Sequence, residues 1–140
     1  MKVRELMSTQ VVTVQKSDPI RTAWELVQLR GLRRFPVMDG DRLVGIITDR
    51  DLRNATASSV VLTEKKYHDF LLDTVKVETV MSADPTCASP DDDVREAARR
   101  ILELKVGGLP VVEGGKLVGI ITETDLINAL VEVLSTDAGG

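Results

Sequence analysis

"GIITDRDLRNA" at Gly45–Ala55 and "GIITETDLINA" at Gly119–Ala129 are nearly the same eleven residues written twice, differing only at Asp49/Glu123, Arg50/Thr124 and Arg53/Ile127. The offset between them, 119 − 45 = 74, also carries Met7 to Met81, Pro36 to Pro110 and Asn54 to Asn128. Working outward, residues 3–55 and 77–129 align without a gap and share the pairs Met7-Ser8/Met81-Ser82 and Pro36-Val37/Pro110-Val111. Self-similarity at a fixed offset implies two copies of one supersecondary unit.

Each copy reads as strand, helix, strand, strand, helix. "VVTV" at Val11–Val14 is a β-rich run, and Ser17-Asp18-Pro19 offers caps and a first-turn proline for a helix. Ile20, Ala23, Trp24 and Val27 fall on one face of that helix, and Gly31 stops it. "RFPVM" and "RLVGIIT" are strands joined by a tight turn at Asp39-Gly40-Asp41. Thr48 to about Ala55 is the second helix. In the second copy Asp91–Asp93 open the helix, Val94, Ala97, Ala98 and Ile101 replace the apolar face, and Gly114-Gly115 turns the hairpin.

One copy has too little apolar surface to stand reliably alone. "LVGII" is apolar on successive residues, which predicts a sheet covered on both faces. The expected fold is α+β: two tandem β-α-β-β-α repeats packed about a pseudo-twofold axis, with ligand clefts where the repeats meet. The expected divisions are residues 1–56, 57–76, 77–134 and 135–140. They correspond to repeat one, a connector with a helix on which Tyr67, Phe70 and Leu71 form the apolar face, repeat two, and a flexible tail.

The 140 residues carry a net charge of −4 and 43% hydrophobic residues, the balance of an ordinary globular protein. An acidic chain has no basic excess for long stretches of phosphate backbone, so nucleic acid is a poor candidate partner. No segment has the roughly 18 unbroken apolar residues of a membrane helix, and "MKVRELMSTQ" does not read as a secretory signal. A lone Cys87 fits a reducing compartment, and the expected location is cytoplasmic. His68 is the only histidine and falls in the connector; there is no zinc-like cluster and no nucleophile with a base nearby in sequence. These features argue against an enzyme.

Thr48-Asp49-Arg50-Asp51 and Thr122-Glu123-Thr124-Asp125 each follow a strand and open a helix. A Thr with an acid three residues on is a capping box, contributing about 1 kcal/mol. The same place suits a nucleotide. A helix N-terminus attracts phosphate, a carboxylate can grip neighbouring ribose hydroxyls, and a Thr hydroxyl donates or accepts. The two copies differ in charge there. Copy one has Arg30, Arg33, Arg34 and Arg50, whereas copy two has Lys105, Gly107 and Gly108, with Thr124 in place of Arg50. The planar guanidinium fork matches phosphate oxygens, so a basic junction favours a phosphorylated ligand, unless the arginines simply form a solvated face. Thr13-Val14 and Pro36-Val37, with Ala88 and Pro110-Val111, are candidates for an apolar adenine slot, or for plain core.

At "FPVMDGDRLVGIITDRDL" and "LPVVEGGKLVGIITETDL", with the Met before each first strand, the chain resembles the CBS domain family, whose members occur as tandem pairs. "FLLDTVKVETVMS" and the length are also similar to the CBS pairs of bacterial acetoin-utilisation-type proteins. The resemblance implies a regulatory module binding AMP, ADP, ATP or S-adenosylmethionine in clefts between repeats, with no required cofactor. It also implies that Asp51 and Asp125 hold ribose and that Thr48 and Thr122 help place ribose or phosphate. A homodimer formed through helices, altering contacts with a regulated enzyme or transporter, is implied in the same way. The alternative is a structural interaction module in which the Thr-x-x-Asp elements only cap helices.

Overall fold

The computed structural model describes residues 1–56 and 65–139. After a 3-10 turn at Val3–Glu5 come β1 (Val14–Gln15), α1 (Ile20–Arg30), β2 (Arg34–Asp39), β3 (Arg42–Thr48) and α2 (Asp49–Thr56). They are followed by α3 (Lys65–Thr74), α4 (Val77–Val80), β4 (Ser82–Ala83), α5 (Val94–Leu104), β5 (Gly108–Glu113), β6 (Lys116–Thr122) and α6 (Glu123–Gly139). The α+β expectation holds. The chain condenses into two compact units, Val12–Pro85 and Met1–Val11 with Thr86–Gly140.

In the first unit β2 and β3 form an antiparallel hairpin with Arg34 opposite Thr48, Pro36 opposite Ile46 and Val37 opposite Gly45. β1 lies parallel to β2, with Val14 beside Val37. Side chains alternate across a strand, so Phe35, Val37 and Ile47 enter a core with Ile20 and Ala23 of α1, Leu52 of α2 and Leu72 of α3. The second unit repeats the hairpin with the same register, Gly108 opposite Thr122 and Val111 opposite Gly119. Leu109, Val111 and Ile121 pack there with Ala97 and Ile101 of α5. Coverage of the sheet falls short of the two-faced burial expected from "LVGII". Gly45 and Ile47 are buried but Leu43, Val44 and Ile46 are half-buried, and β6 follows the same pattern. The helices close one sheet face, and the other is only partly covered within each unit.

The segment that leads each copy docks on the body of the other copy. Val77 donates its N–H to Asp18 O and Glu78 to Lys16 O, while Ile20 donates to Val75 O. Shifted by 74, Val3 donates to Asp92 O, Arg4 to Pro90 O, and Val94 to Met1 O. At the far end β4 pairs with β3 (Ile46 opposite Ser82), and Ser8 bridges Ile120. Val77 and Val3 are fully buried in the bodies they join, each contributing about 1.5–3 kcal/mol of apolar burial. Glycine is required where these leaders cross. A Cβ on Gly45 would stand 2.8 Å from Ser82 O and 2.5 Å from Met81 Sδ, and one on Gly119 would stand 2.8 Å from Ser8 O.

Several expectations need correction. The "VVTV" strand is ordered as β only at Val14–Gln15. Ser17 and Asp18 do not cap α1, whose N-cap is Pro19 without a side-chain bond. Asp18 instead closes the preceding turn, accepting the Gln15 N–H at 2.9 Å, as Asp92 does from Ser89. In the second copy Asp93 is the N-cap and accepts from the Arg95 N–H at 2.9 Å. Residues 135–139, expected as a tail, continue α6. The expected connector helix is present as α3, but its inward face is shifted. Tyr67 and Phe70 are exposed, while Leu72 is buried. The shift follows from what α1 offers. Arg21 bonds Asp73 and lies 3.5 Å from Asp69, and Trp24 meets the His68 ring edge-on at 5.6 Å. Those partners turn His68, Asp69 and Leu72 toward α1. The rest of the expected connector, residues 57–64, lies outside the described residues.

Candidate ligand site

Thr48 ends β3 and Asp49 begins α2, so Asp51 falls in the first turn, where early N–H groups have no helical acceptor. Thr48 donates its N–H to Asp51 Oδ2 at 3.0 Å, and Asp51 returns its N–H to Thr48 Oγ1 at 3.1 Å. The second copy repeats this reciprocal cap. Thr122 N–H reaches Asp125 Oδ2 at 2.8 Å and Asp125 N–H reaches Thr122 Oγ1 at 3.3 Å; the Thr122 hydroxyl also donates to Asp125 Oδ2 at 3.0 Å. The caps therefore use one carboxylate oxygen in each copy. Oδ1 of Asp51 and of Asp125 makes no hydrogen bond among the described residues, and both side chains are half-buried. The cap thus involves the Thr hydroxyl and Oδ2 of each Asp, with Oδ1 outside it.

The hairpin register sorts the other site candidates. Arg34, Pro36, Ile46 and Thr48 share the sheet face opposite the core, as Gly108, Pro110, Ile120 and Thr122 do in the second copy. Val37 and Val111 point the other way and are fully buried. Val14 beside Val37 and Ala88 beside Val111 are also core, at 2% and 3% exposure. Thr13 is exposed just before β1, and Pro36 and Pro110 are buried. So Arg34, Pro36 and Thr48 come together, whereas Val14, Val37, Ala88 and Val111 do not join them. Ile46 and Ile120, absent from the sequence-derived set, are half-buried beside the prolines. Counting back by two from each Thr would have found them.

The charge contrast is carried by the backbone. Asp49 donates its N–H to Arg33 O at 2.9 Å, so Arg33 abuts the start of α2. Glu123 makes the same 2.9 Å bond to Gly107 O. Arg50 and Thr124 are exposed at the second position of their helices.

Elsewhere, the acid-rich opening of α5 is tied up internally. Arg4 bonds Asp91 at 2.6 Å, Arg100 bonds Asp92 at 3.1 Å and Arg95 bonds Asp93 at 2.8 Å. Hydrogen bonds from Arg4 and Arg95 hold Asp91 and Asp93 below the ordinary carboxylate range. Burial pushes the Cys87 thiol up, away from a reactive thiolate. Among the described residues no group of three or more His, Cys, Asp or Glu side chains is arranged to hold a metal ion. No described helix is long and apolar enough to cross a membrane.

Comparison with known proteins agrees with this architecture. Residues 3–58 and 77–132 each match the CBS domain. A CBS domain-containing protein of Dictyostelium discoideum is 36% identical over 134 residues, 94% of this chain and 92% of that protein. An inosine-5'-monophosphate dehydrogenase of Korarchaeum cryptofilum is 32% identical, but the chain spans only 21% of its length. Among solved structures, a Vibrio cholerae protein assigned to acetoin utilization superposes with a TM-score of 0.81 at 28% identity, covering 100% of this chain and 97% of that one. CBSX2 of Arabidopsis thaliana, solved in complex with AMP, gives 0.80 at 28% identity, covering 94% and 97%. Two matched copies, the repeated strand–helix cap and this likeness along the whole chain together show that the protein belongs to the CBS domain family, as a tandem pair.

Proposed function

We propose that the chain is a regulatory module that binds adenosine-containing ligands at its two Thr-x-x-Asp junctions, and that it senses rather than catalyses. One observation carries the proposal. In both copies the cap occupies Oδ2 of a half-buried Asp beside a helix N-terminus, and Oδ1 makes no hydrogen bond among the described residues. That oxygen suits a ribose hydroxyl, and the Thr hydroxyl and early helix N–H groups suit ribose or phosphate. The AMP complex of the 28%-identical CBSX2 supports adenosine as the common moiety. AMP, ADP, ATP and S-adenosylmethionine all contain it.

A structural module without nucleotide is the second reading. The reciprocal caps favour it, because they alone account for Thr48, Thr122 and one oxygen of each Asp. Thermal shift of the full chain with AMP, ADP, ATP and S-adenosylmethionine separates the two. A ligand at about 100 times its dissociation constant stabilises by about 2.7 kcal/mol, several degrees at this size. The sensor reading expects at least one such shift, halved or removed by Asp51→Ala or Asp125→Ala. Intact folding with no shift from any of the four sinks it. Loss of a cap alone lowers the unliganded Tm, by about 1 kcal/mol of stability, without touching the ligand increment.

The module also pairs with a second copy in this proposal. Ile127, Leu130, Val131 and Leu134 recur at helical spacing on α6, and each is more than half exposed. An apolar stripe of this kind marks an interaction surface. Sedimentation should give twice the chain mass, and Leu130→Glu should give the monomer. A wild-type monomer at micromolar concentration removes the pairing.

A further inference from the structure

We propose that Met7 and Met81 are a matched pair of oxidation sites. Converting either thioether to its sulfoxide loosens the leader that carries it from the body on which that leader docks. The pair needs no ligand at the Thr-x-x-Asp junctions.

Each leader is fastened at two places, with one methionine between them. In the second leader Val77 is fully buried at one end, and Ser82 and Ala83 pair with Ile46 and Gly45 at the other. Met81 closes the turn between, donating its N–H to Val77 O at 2.9 Å. In the first leader Val3 is the buried anchor, Ser8 bridges Ile120, and Met7 donates to Val3 O at 2.9 Å. Both side chains then lie against a glycine of the hairpin. A Cβ on Gly45 would stand 2.5 Å from Met81 Sδ and 3.1 Å from its Cγ. One on Gly119 would stand 2.9 Å from Met7 Sδ and 3.2 Å from its Cγ. The thioethers thus fill the space that the two glycines leave open, and each packs on the edge of its unit's core.

The four methionines differ in what a small oxidant can reach. Met1 is 64% exposed and Met38 is buried at 8%, while Met7 and Met81 are half-buried. Hydrogen peroxide transfers one oxygen to the sulfur. The S–O bond forms as the O–O bond breaks, the sulfur is oxidised by two electrons, and the peroxide leaves as water. A flexible apolar side chain becomes polar and chiral. The new oxygen arises beside another acceptor, because Ser82 O and Ser8 O lie 2.8 Å from the same two Cβ positions. Two acceptor oxygens repel, and the core side chains around them are apolar. The sulfoxide is therefore satisfied by turning toward water, which empties the place over the glycine and loosens the leader between its anchors. Cys87 competes weakly for the oxidant, since burial disfavours its thiolate.

The test is a hydrogen peroxide titration of the full chain. Peptide mass mapping follows the sulfoxides, and hydrogen exchange follows the Ser8 and Asp84 amides, which donate to Ile120 O and Val44 O. We expect Met1 to oxidise first, Met7 and Met81 next, and Met38 last. Exchange at Ser8 should rise about tenfold or more with Met7 sulfoxide, and at Asp84 with Met81 sulfoxide, the effect of one polar group left unsatisfied. Methionine sulfoxide reductase should restore both. Met7→Leu keeps an apolar side chain of similar volume and should abolish the response at Ser8 alone, as Met81→Leu should at Asp84 alone. Met7→Gln places a polar group there without oxidant and should raise exchange at Ser8 in untreated protein. The proposal is overturned if Met7 and Met81 oxidise no faster than Met38. Unchanged exchange at Ser8 and Asp84 after both are oxidised overturns it too, as does a wild-type response from the leucine variants.

Discussion

Residues 1–9 and residues 75–83 occupy equivalent places on opposite copies, yet different side chains hold them. Their backbone bonds agree pair by pair, Val3 to Asp92 and Val77 to Asp18 both at 2.9 Å. Arg4 fastens the first leader to Asp91, with Lys2 3.5 Å away. The second leader has Glu78 and Lys76 at those positions and faces Ser17, and no such clamp forms among the described residues. Surface ion pairs of this kind contribute little. Buried Val3 and Val77 and the backbone bonds are what both leaders share, and they specify docking. Charge was free to diverge, here as at the Thr-x-x-Asp junctions.

The largest expected effect tests the exchange itself. Gly45→Val and Gly119→Val place a side chain where Ser82 and Ser8 carbonyls pass at 2.8 Å. Each should lose about 3 kcal/mol in chemical denaturation, and Gly45→Ala somewhat less. The informative readout is crossed. Hydrogen exchange should lose protection at the Asp84 amide, which donates to Val44 O, in the Gly45 variants. It should lose protection at the Ser8 amide, which donates to Ile120 O, in Gly119→Val. Loss at Ser8 on changing Gly45 would mean that each leader docks on its own copy, and the comparison above would collapse.

The exchange was not legible in the sequence, for a definite reason. Because both copies carry the Met-Ser leader and the matching glycine, either leader fits either body, and only chain connectivity chooses. What was legible was whatever depends on local pattern. Gly31, Gly40 and the apolar period of α1 marked the elements, and Thr48 and Asp51 marked the cap that forms. Local pattern failed where a distant partner decided. Asp18 closes a turn rather than capping α1, because the first helical N–H of Ile20 is taken by Val75 O. α3 turned toward Arg21 and Trp24 rather than along the Tyr67/Phe70 stripe. The reciprocal caps of Thr48 with Asp51 and of Thr122 with Asp125 were readable from spacing. Val14, Val37, Ala88 and Val111 were core instead of slot, since a β-strand sends neighbours to opposite faces and the sequence does not say which face the helices close.

A smaller effect sharpens the comparison at the helix ends. α1 stops at Gly31 with φ 66°, and α5 stops at the equivalent Lys105 with φ 56°, both left-handed. Glycine adopts that conformation freely, whereas a side chain there costs about 1 kcal/mol. A lysine at a helix C-terminus recovers part of this, a few tenths of a kcal/mol, from the dipole, and glycine adds entropy to the unfolded chain. Lys105→Gly should therefore gain only about 0.5 kcal/mol in urea denaturation, and Gly31→Lys should lose a similar amount. Two neutral substitutions would show that the left-handed turn carries no strain. Equal and opposite changes would show that the second copy ends its helix through its surroundings. There Gly107 O already holds the Glu123 N–H, so the chain must reverse at that point whichever residue occupies the turn. Tertiary structure then does at position 105 what a glycine does at position 31.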